Sequence, residues 1–312
     1  MPAKGHRVRV FVTGATGFIG QALVARLRND AHSVVAWVRS PARAQNLLDP
    51  EVEIVTGDAA SAAVTGALRG CHAVVNLSGE PLVGKRWTAA RRVVLEQSRV
   101  QFTEALVNAM ATHAGQPAVF VSASAVGYYG NRADEVLTEE SSQGDDFLAN
   151  LCSRWESAAR LAETKLASRV VILRMGVVLG RGGALARMLP PFRLGLGGPI
   201  GSGRQYLSWI HGRDLVAFIA TALNDERYRG PINLVAPEQA TSREFARALG
   251  RAVKVPAIMP IPALALKAIF GEAASVLLDS QRVEPRILKS LGFWWAFPTL
   301  QSALKEIVAS GS

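Results

Sequence analysis

Cysteine is scarce in this chain of 312 residues: Cys71 and Cys152 are the whole supply. They have no partner pattern, which excludes a disulfide framework, and the five scattered histidines show no metal-ligand spacing, so no metal is expected. Long apolar runs are also missing, since none approaches the roughly 20 residues of a membrane helix. The basic stretch Lys4–Arg9 leads into an apolar run that Thr13-Gly14 cuts short, so neither a span nor a cleaved signal is expected. Together these absences suit a reducing, cytoplasmic setting. Acidic residues are outnumbered, 25 to 35, for a net charge of +10. The arginines are dispersed, with Arg91-Arg92 the longest cluster, and no polybasic block or aromatic-basic interleave appears. Neither nucleic acid nor a membrane surface is therefore an expected partner. The surplus fits an arginine-rich solvated surface or a basic cleft for an anionic ligand.

What is present is a core-forming composition, 49% hydrophobic, organised around Val10-Phe11-Val12-Thr13-Gly14-Ala15-Thr16-Gly17-Phe18-Ile19-Gly20. An apolar run breaks into three glycines and resumes as an amphipathic stretch, which reads as strand, tight turn and helix start. Gly14 allows the turn, Gly17 lets backbone approach a pyrophosphate, and Gly20 lets the helix sit close on the strand. Phosphate would then lie at the helix N-terminus, where unpaired N–H groups and the dipole favour negative charge.

Strand-length apolar segments alternate with helical patterns through the first half, which argues for βα units and a parallel sheet covered on both faces. The strands read as Arg7–Thr13, Ser33–Val38, Glu53–Thr56, Ala73–Leu77, Ala118–Ser122 and Arg169–Arg174, with two more at Tyr206–Ile210 and Ile232–Val235. Helices read as Gly17–Asn29, Ser61–Leu68, Thr88–His113 and Phe147–Leu166; Asp214 can cap Leu215–Leu223, and Thr241 with Glu244 has capping-box spacing. From Val255 the texture turns to prolines and short apolar-periodic pieces, and Phe293–Phe297 reads as a packing knot. The expected division is a nucleotide-binding domain over 1–180, interleaved substrate-side segments over 181–254, and a helical domain over 255–312.

In a dinucleotide fold the residue ending the second strand separates the cofactors, because a carboxylate there accepts from the ribose 2′-hydroxyl and repels a 2′-phosphate. Here the strand ends Trp37-Val38-Arg39-Ser40, with Arg43 following and no acid nearby. A guanidinium pairs with phosphate, so NADP(H) is the expected cofactor unless Arg39 is only a solvated strand-end residue. Asp58, after the third strand, is placed to accept from adenine or to cap the next helix. Leu77, Ser78 and Gly79 end the fourth strand and should line the cofactor. Thr16, Phe18 and Ile19 in the turn and Val178 after the sixth strand complete the expected cofactor set.

The glycine turn, together with Val121-Ser122-Ala123-Ser124-Ala125-Val126-Gly127-Tyr128-Tyr129-Gly130 and Trp209-Ile210-His211-Gly212-Arg213-Asp214, resembles an extended, atypical short-chain dehydrogenase/reductase. Gly195–Gln205 makes it similar to the NAD(P)-dependent epimerase/dehydratase-like branch with a helical C-terminal domain of unknown function. The resemblance covers nearly the whole chain. It implies an α/β fold: a Rossmann-type doubly wound parallel sheet with a smaller, mostly helical C-terminal lobe closing over substrate. It draws attention to Arg99, where related enzymes place an asparagine; an arginine there reaches the cofactor or an anionic substrate, or is merely solvated. It also makes Pro190–Gln205 a long loop on the substrate side, with Arg193 and Arg204 as anion contacts or as solvated residues.

The usual chemistry of such enzymes moves a proton with a tyrosine activated by a lysine four residues on, while a serine holds the substrate oxygen. Ser124 fits the serine position. The four tyrosines are followed at that spacing by Arg132, Ala133, Ile210 and Ile232, so no tyrosine-lysine pair exists. At the matching helix positions stand Cys152 and Glu156. Tyr128, four residues beyond Ser124, could supply a phenol, with Tyr129 as its alternative and packing as the plainer role. Glu156 could serve as a base or be an exposed or paired charge, and Cys152 reads as a small buried side chain. His211 reads as structural. The expected function is an NADP(H)-dependent oxidoreductase or epimerase on a small carbonyl or sugar-derived substrate, anionic if the arginines contact it. The alternative is a catalytically degenerate NADP(H)-binding regulatory protein, which relatives of this branch link by name to cell division. Oligomeric state is left open.

Overall fold

The computed structural model describes residues 7–112 and 116–309; the first half of Lys4–Arg9 and the helix end expected at His113 lie outside the described residues. Seven strands form one parallel sheet: β1 (Arg9–Thr13), β2 (Ser33–Trp37), β3 (Glu53–Val55), β4 (Ala73–Asn76), β5 (Val119–Ala125), β6 (Arg169–Met175) and β7 (Gly230–Leu234). Their order is β7-β6-β5-β4-β1-β2-β3, so the direction of winding reverses between β1 and β4. That reversal opens a crevice at the carboxyl ends of the strands, where ligands of such sheets bind.

The strands are apolar at nearly every position because both faces are covered. Val10, Val12, Val34, Ala36, Val75, Val121 and Leu173 enter one core, while Phe11, Val35, Val74, Phe120, Val170 and Ile172 enter the other. On the first face lie α1 (Phe18–Asn29), which contributes Leu23, Val24 and Leu27, and the helix Gly212–Ala222, which contributes Leu215, Phe218 and Ile219. On the second lie the helices Ala62–Leu68, Phe102–Met110 and Phe147–Leu166.

In chain order the remaining helices take their labels as follows: α2 (Pro41–Leu47), α3 (Ala62–Leu68), α4 (Ala89–Glu96), α5 (Phe102–Met110), α6 (Phe147–Leu166), α7 (Gly183–Arg193), α8 (Gly212–Ala222), α9 (Ser242–Val253), α10 (Ala263–Phe270), α11 (Ser275–Leu278), α12 (Arg286–Ser290) and α13 (Leu300–Ala309). Thr88 caps α4, and the single long helix expected over Thr88–His113 is broken by a π-helical turn at Gln97–Gln101 before α5 begins. Helix α7 replaces the first part of the expected loop; Pro190 and Pro191 lie inside it, and Leu185 and Phe192 anchor it. The capping box of Thr241 and Glu244 forms at α9. Asp214 does not cap α8. His211 does, accepting from the Arg213 N–H, while Asp214 accepts the Ala296 and Phe297 N–H groups at 2.8 and 3.0 Å and so ties down the C-terminal segment. The aromatic knot packs as expected, with Phe293 against Phe218 and Trp295, whose indole donates to the Val235 carbonyl. Helices α7, α9 and α13 share a third core around Leu249, Leu304 and Trp209.

Candidate functional site

At the turn after β1, Gly14 takes φ +69°, and a Cβ there would stand 2.7 Å from the Leu77 carbonyl oxygen. Gly20 is more confined: its Cβ would lie 2.1 Å from the Gly14 oxygen. Gly17 begins α1 with no side-chain cap and no acid in the first turn, so the first N–H groups of the helix are left for something outside it. The turn before them borders a cleft of about 680 Å³ lined by Gly14, Thr16, Gly17, Trp37, Arg39, Arg43, Leu77, Ser78, Gly79 and Glu80, among others. A buried polar chain reaches the cleft through Ser78. Thr13 donates to Asn76 Oδ1 at 2.7 Å, the Ser78 N–H donates to the same oxygen, and Asn76 Nδ2 donates to Thr103 at 2.9 Å.

The structure thus gathers Gly14, Thr16, Gly17, Arg39, Leu77, Ser78 and Gly79 around one cleft. Arg39, two residues beyond β2, has its side chain 95% exposed and 3.5 Å from Glu80. Asp58 is exposed beside Gly57 and outside that lining; Ser61, not Asp58, caps α3. Phe18, Ile19 and Val178 turn to a separate cavity of about 320 Å³ with His211, Arg213 and Glu306, where the Phe18 ring lies against Gly180 and Gly182. The nearby His211 has the expected structural role, with its ring on Phe297 and Nε2 3.1 Å from Glu306. Burial pulls its imidazole below the usual range.

Arg99 is neither solvated nor turned into the cleft. The π-helical turn buries it, its Nη2 donates to the Glu80 carbonyl at 2.8 Å, and it lies over Trp155. Burial lowers the guanidinium to about 10. It props the Ser78–Glu80 segment from behind, and a Cβ on Gly79 would meet it at 3.2 Å.

Ser124 and Tyr128, the expected catalytic residues, stand in a buried polar network. Ser124 and Arg174 are register neighbours at the carboxyl ends of β5 and β6. Ser124 is 1% exposed and donates to Glu156 Oε1 at 2.8 Å. Arg174 grips both oxygens of Glu156, each at 2.8 Å, and donates to the Tyr129 hydroxyl, which donates in turn to Asn233. Burial lowers the Arg174 guanidinium, but bonds and attraction from Glu156 and Tyr129 outweigh that and hold it above its usual range. Tyr128 lies with its ring 3.5 Å from the Arg174 guanidinium carbon. Neither Ser124 nor Tyr128 lines the glycine cleft or the cavity beyond it. Glu156 is a paired charge, but buried and matched to Arg174, while its sequence neighbour Arg154 pairs with Glu96. Cys152 is a buried thiol pushed up to about 12 by burial and by Glu156, which leaves it inert.

Sequence reasoning missed Arg174. The available signal was an arginine in an otherwise apolar strand, facing a glutamate on the buried side of α6 between Cys152 and Ala159.

Beyond Ser124, the residues Ala125, Val126 and Gly127 help line a second cavity of about 230 Å³, enclosed with Met175, Leu82 and residues of α9 and α11. Gly198, Ile200 and Gln205 bring the 190–205 segment to its wall. Arg193, at the end of α7, and Arg204 are both exposed and stand outside that lining.

A model of the NAD dependent epimerase/dehydratase family matches residues 10–234, and one of a domain of unknown function, DUF1731, matches residues 261–307. The chain is 42% identical over 308 residues to the Bos taurus epimerase family protein SDR39U1, covering 97% of this chain and 100% of that protein. It resembles the crystal structure of human SDR39U1 (isoform2) with NADPH at TM-score 0.87 and 40% identity, covering 96% and 99% of the two chains. A nucleoside-diphosphate sugar epimerase from Corynebacterium glutamicum superposes at TM-score 0.76 and 31% identity, over 97% of this chain and 59% of that one. With its seven-stranded Rossmann-like sheet, its glycine turn and its helical C-terminal region, the chain belongs to the NAD dependent epimerase/dehydratase family.

Proposed function

We propose that the protein is an NADP(H)-binding oxidoreductase or epimerase-like enzyme acting on a small molecule held between the sheet and the C-terminal helices. The loop following β4 carries this reading. Leu77–Pro81 wall the glycine cleft and Leu82–Val83 wall the second cavity, so the two sites share one loop at the crevice. The residues fit a dinucleotide: Gly14 and Gly17 leave the turn bare, the start of α1 is uncapped, and Arg39 and Arg43 bring positive charge to the end of β2. The NADPH named with the human relative supports the choice of NADP(H). When bound, the nicotinamide supplies or accepts a hydride at a substrate carbon. The chain's own part is to orient: Asn76 fixes the Ser78 backbone, and Arg99 braces the segment that follows.

Calorimetric titration tests the cofactor half. Arg39→Ala should raise the NADPH dissociation constant about tenfold, the loss of one exposed charge-assisted contact, and leave that of NADH unchanged. Equal effects on the two cofactors would remove Arg39 from 2′-phosphate recognition.

The buried Ser124–Glu156–Arg174 network favours a second reading, a catalytically degenerate NADP(H)-binding regulator for which the family resemblance suggests cell division. Turnover of carbonyl compounds or nucleotide sugars on the order of 1–10³ s⁻¹ supports the enzyme; tight NADPH binding without turnover supports the regulator. No helix among the described residues is long and apolar enough to cross a membrane, and the two buried free thiols favour a reducing compartment such as the cytoplasm.

A further inference from the structure

The second cavity has a lining unlike that of a phosphate site. Its walls are mainly apolar, with Leu82, Val83, Met175, Met188, Phe245 and Val276 prominent, and among the described residues none of its lining side chains is a lysine or arginine. Its charged groups are two carboxylates, Asp146 and Asp279. Most polar neighbours are already engaged: Asp146 accepts the Ala149 N–H at the start of α6, Ser208 donates to the Gln281 carbonyl, and Gln205 donates to the Ile200 carbonyl. The Asp279 carboxylate has no hydrogen bond or ion pair among the described residues. It sits where the second cavity meets an outer cavity lined by Lys267 and Glu272, and it lines both.

A diphosphate needs cations or clustered N–H groups to offset its desolvation, and two carboxylates in a partly enclosed apolar space repel it. We propose that this cavity takes a small, uncharged, mainly apolar carbonyl compound rather than a nucleotide-diphosphate sugar, and that Asp279 makes its polar contact. The inference rests on reading the cavity as the substrate side of an NADP(H) protein. Asp279 is suited to the role because burial, with Asp146 adding to it and Lys267 opposing it, pushes its carboxyl up to about 6. Protonated, it donates to a carbonyl oxygen; ionised, it can only accept. Affinity for the ketone should therefore fall as pH rises through about 6.

The experiment titrates the full-length protein, with and without saturating NADP⁺, with naphthyl methyl ketone and separately with UDP-glucose, following tryptophan fluorescence between acidic and neutral pH. Ketone binding that weakens toward neutral pH, with no saturable UDP-glucose binding, is expected. Asp279→Ala should weaken ketone binding about tenfold at the acidic end, as the loss of one good hydrogen bond does. Asp279→Asn, whose amide donates at every pH, should bind the ketone with a flat pH profile. Saturable UDP-glucose binding, no ketone binding, or a pH profile untouched by both variants would overturn the proposal. Because NADP⁺ binding is recorded in the same titrations, failure of the cofactor reading shows separately from failure of the substrate reading.

Discussion

Glu156→Gln lowers the stability of the fold by about 3–5 kcal/mol, read as a shift in the urea midpoint at constant slope. The side chains of Arg174 and Glu156 are 4% and 5% exposed, so the substitution strands a guanidinium away from water with a neutral amide for company. It also weakens the bond that Ser124 donates. Breaking one partner of a buried pair is costly because the survivor keeps its desolvation penalty and loses its compensation. The double change Glu156→Met with Arg174→Met should therefore recover most of the loss, since both charges leave together and the methionines refill the space. Adding Ser124→Ala removes the one remaining hydroxyl that loses its acceptor. NADPH affinity should stay within about twofold in every folded variant, because none of these residues lines the glycine cleft. A Glu156→Gln protein as stable as the parent would show that the network is not a structural clamp, and a selective loss of cofactor binding would tie it to the site.

This network also marks where sequence stopped being legible. The cofactor half could be read because its signals are local: the glycines, the strand and the helix start lie within eleven residues, and β1 to β6 are apolar on both faces wherever they cross the core. Helix α6 was legible to the residue, Phe147–Leu166, because its stripe is long and Asp146 caps it. Helix α2 was not, since it is short and its one buried residue is Ala44, which leaves no apolar period to detect. Helix α7 was hidden by Pro190 and Pro191, which normally end a helix but here lie in its last turn and a half. The partners of Glu156 and Asp214 are long-range facts. Asp214 reaches residues 82 and 83 positions further on, and no spacing rule connects them. The same holds for Arg193 and Arg204, which the sequence places together on one segment and the structure leaves exposed outside the second cavity.

Gly20→Ala should cost NADPH affinity at least about a hundredfold, while Gly66→Ala, in another helix, should cost none. The contrast follows from what each new methyl would meet. At Gly20 the Cβ would stand 2.1 Å from the Gly14 oxygen and 2.7 Å from the Ala15 Cα, both main-chain atoms that cannot rotate away. Helix α1 must slide outward or the turn must open, and either change moves the uncapped N–H groups that would hold the phosphates, at roughly 1–3 kcal/mol or more of strain. Gly66 is exposed within α3 and has nothing within 4 Å of its would-be Cβ. Alanine there should stabilise the fold by about 1 kcal/mol through helix propensity alone. Gly17→Ala should disturb the fold less than Gly20→Ala, because its Cβ would stand 3.2 Å from the Gly14 oxygen, and any loss of NADPH affinity there reports the methyl's own intrusion on the phosphates. Calorimetric titration with NADPH, paired with urea denaturation of each variant, separates a lost cradle from a lost fold. If Gly20→Ala binds NADPH as the parent does, the close seat of α1 on the turn is not what shapes the dinucleotide site.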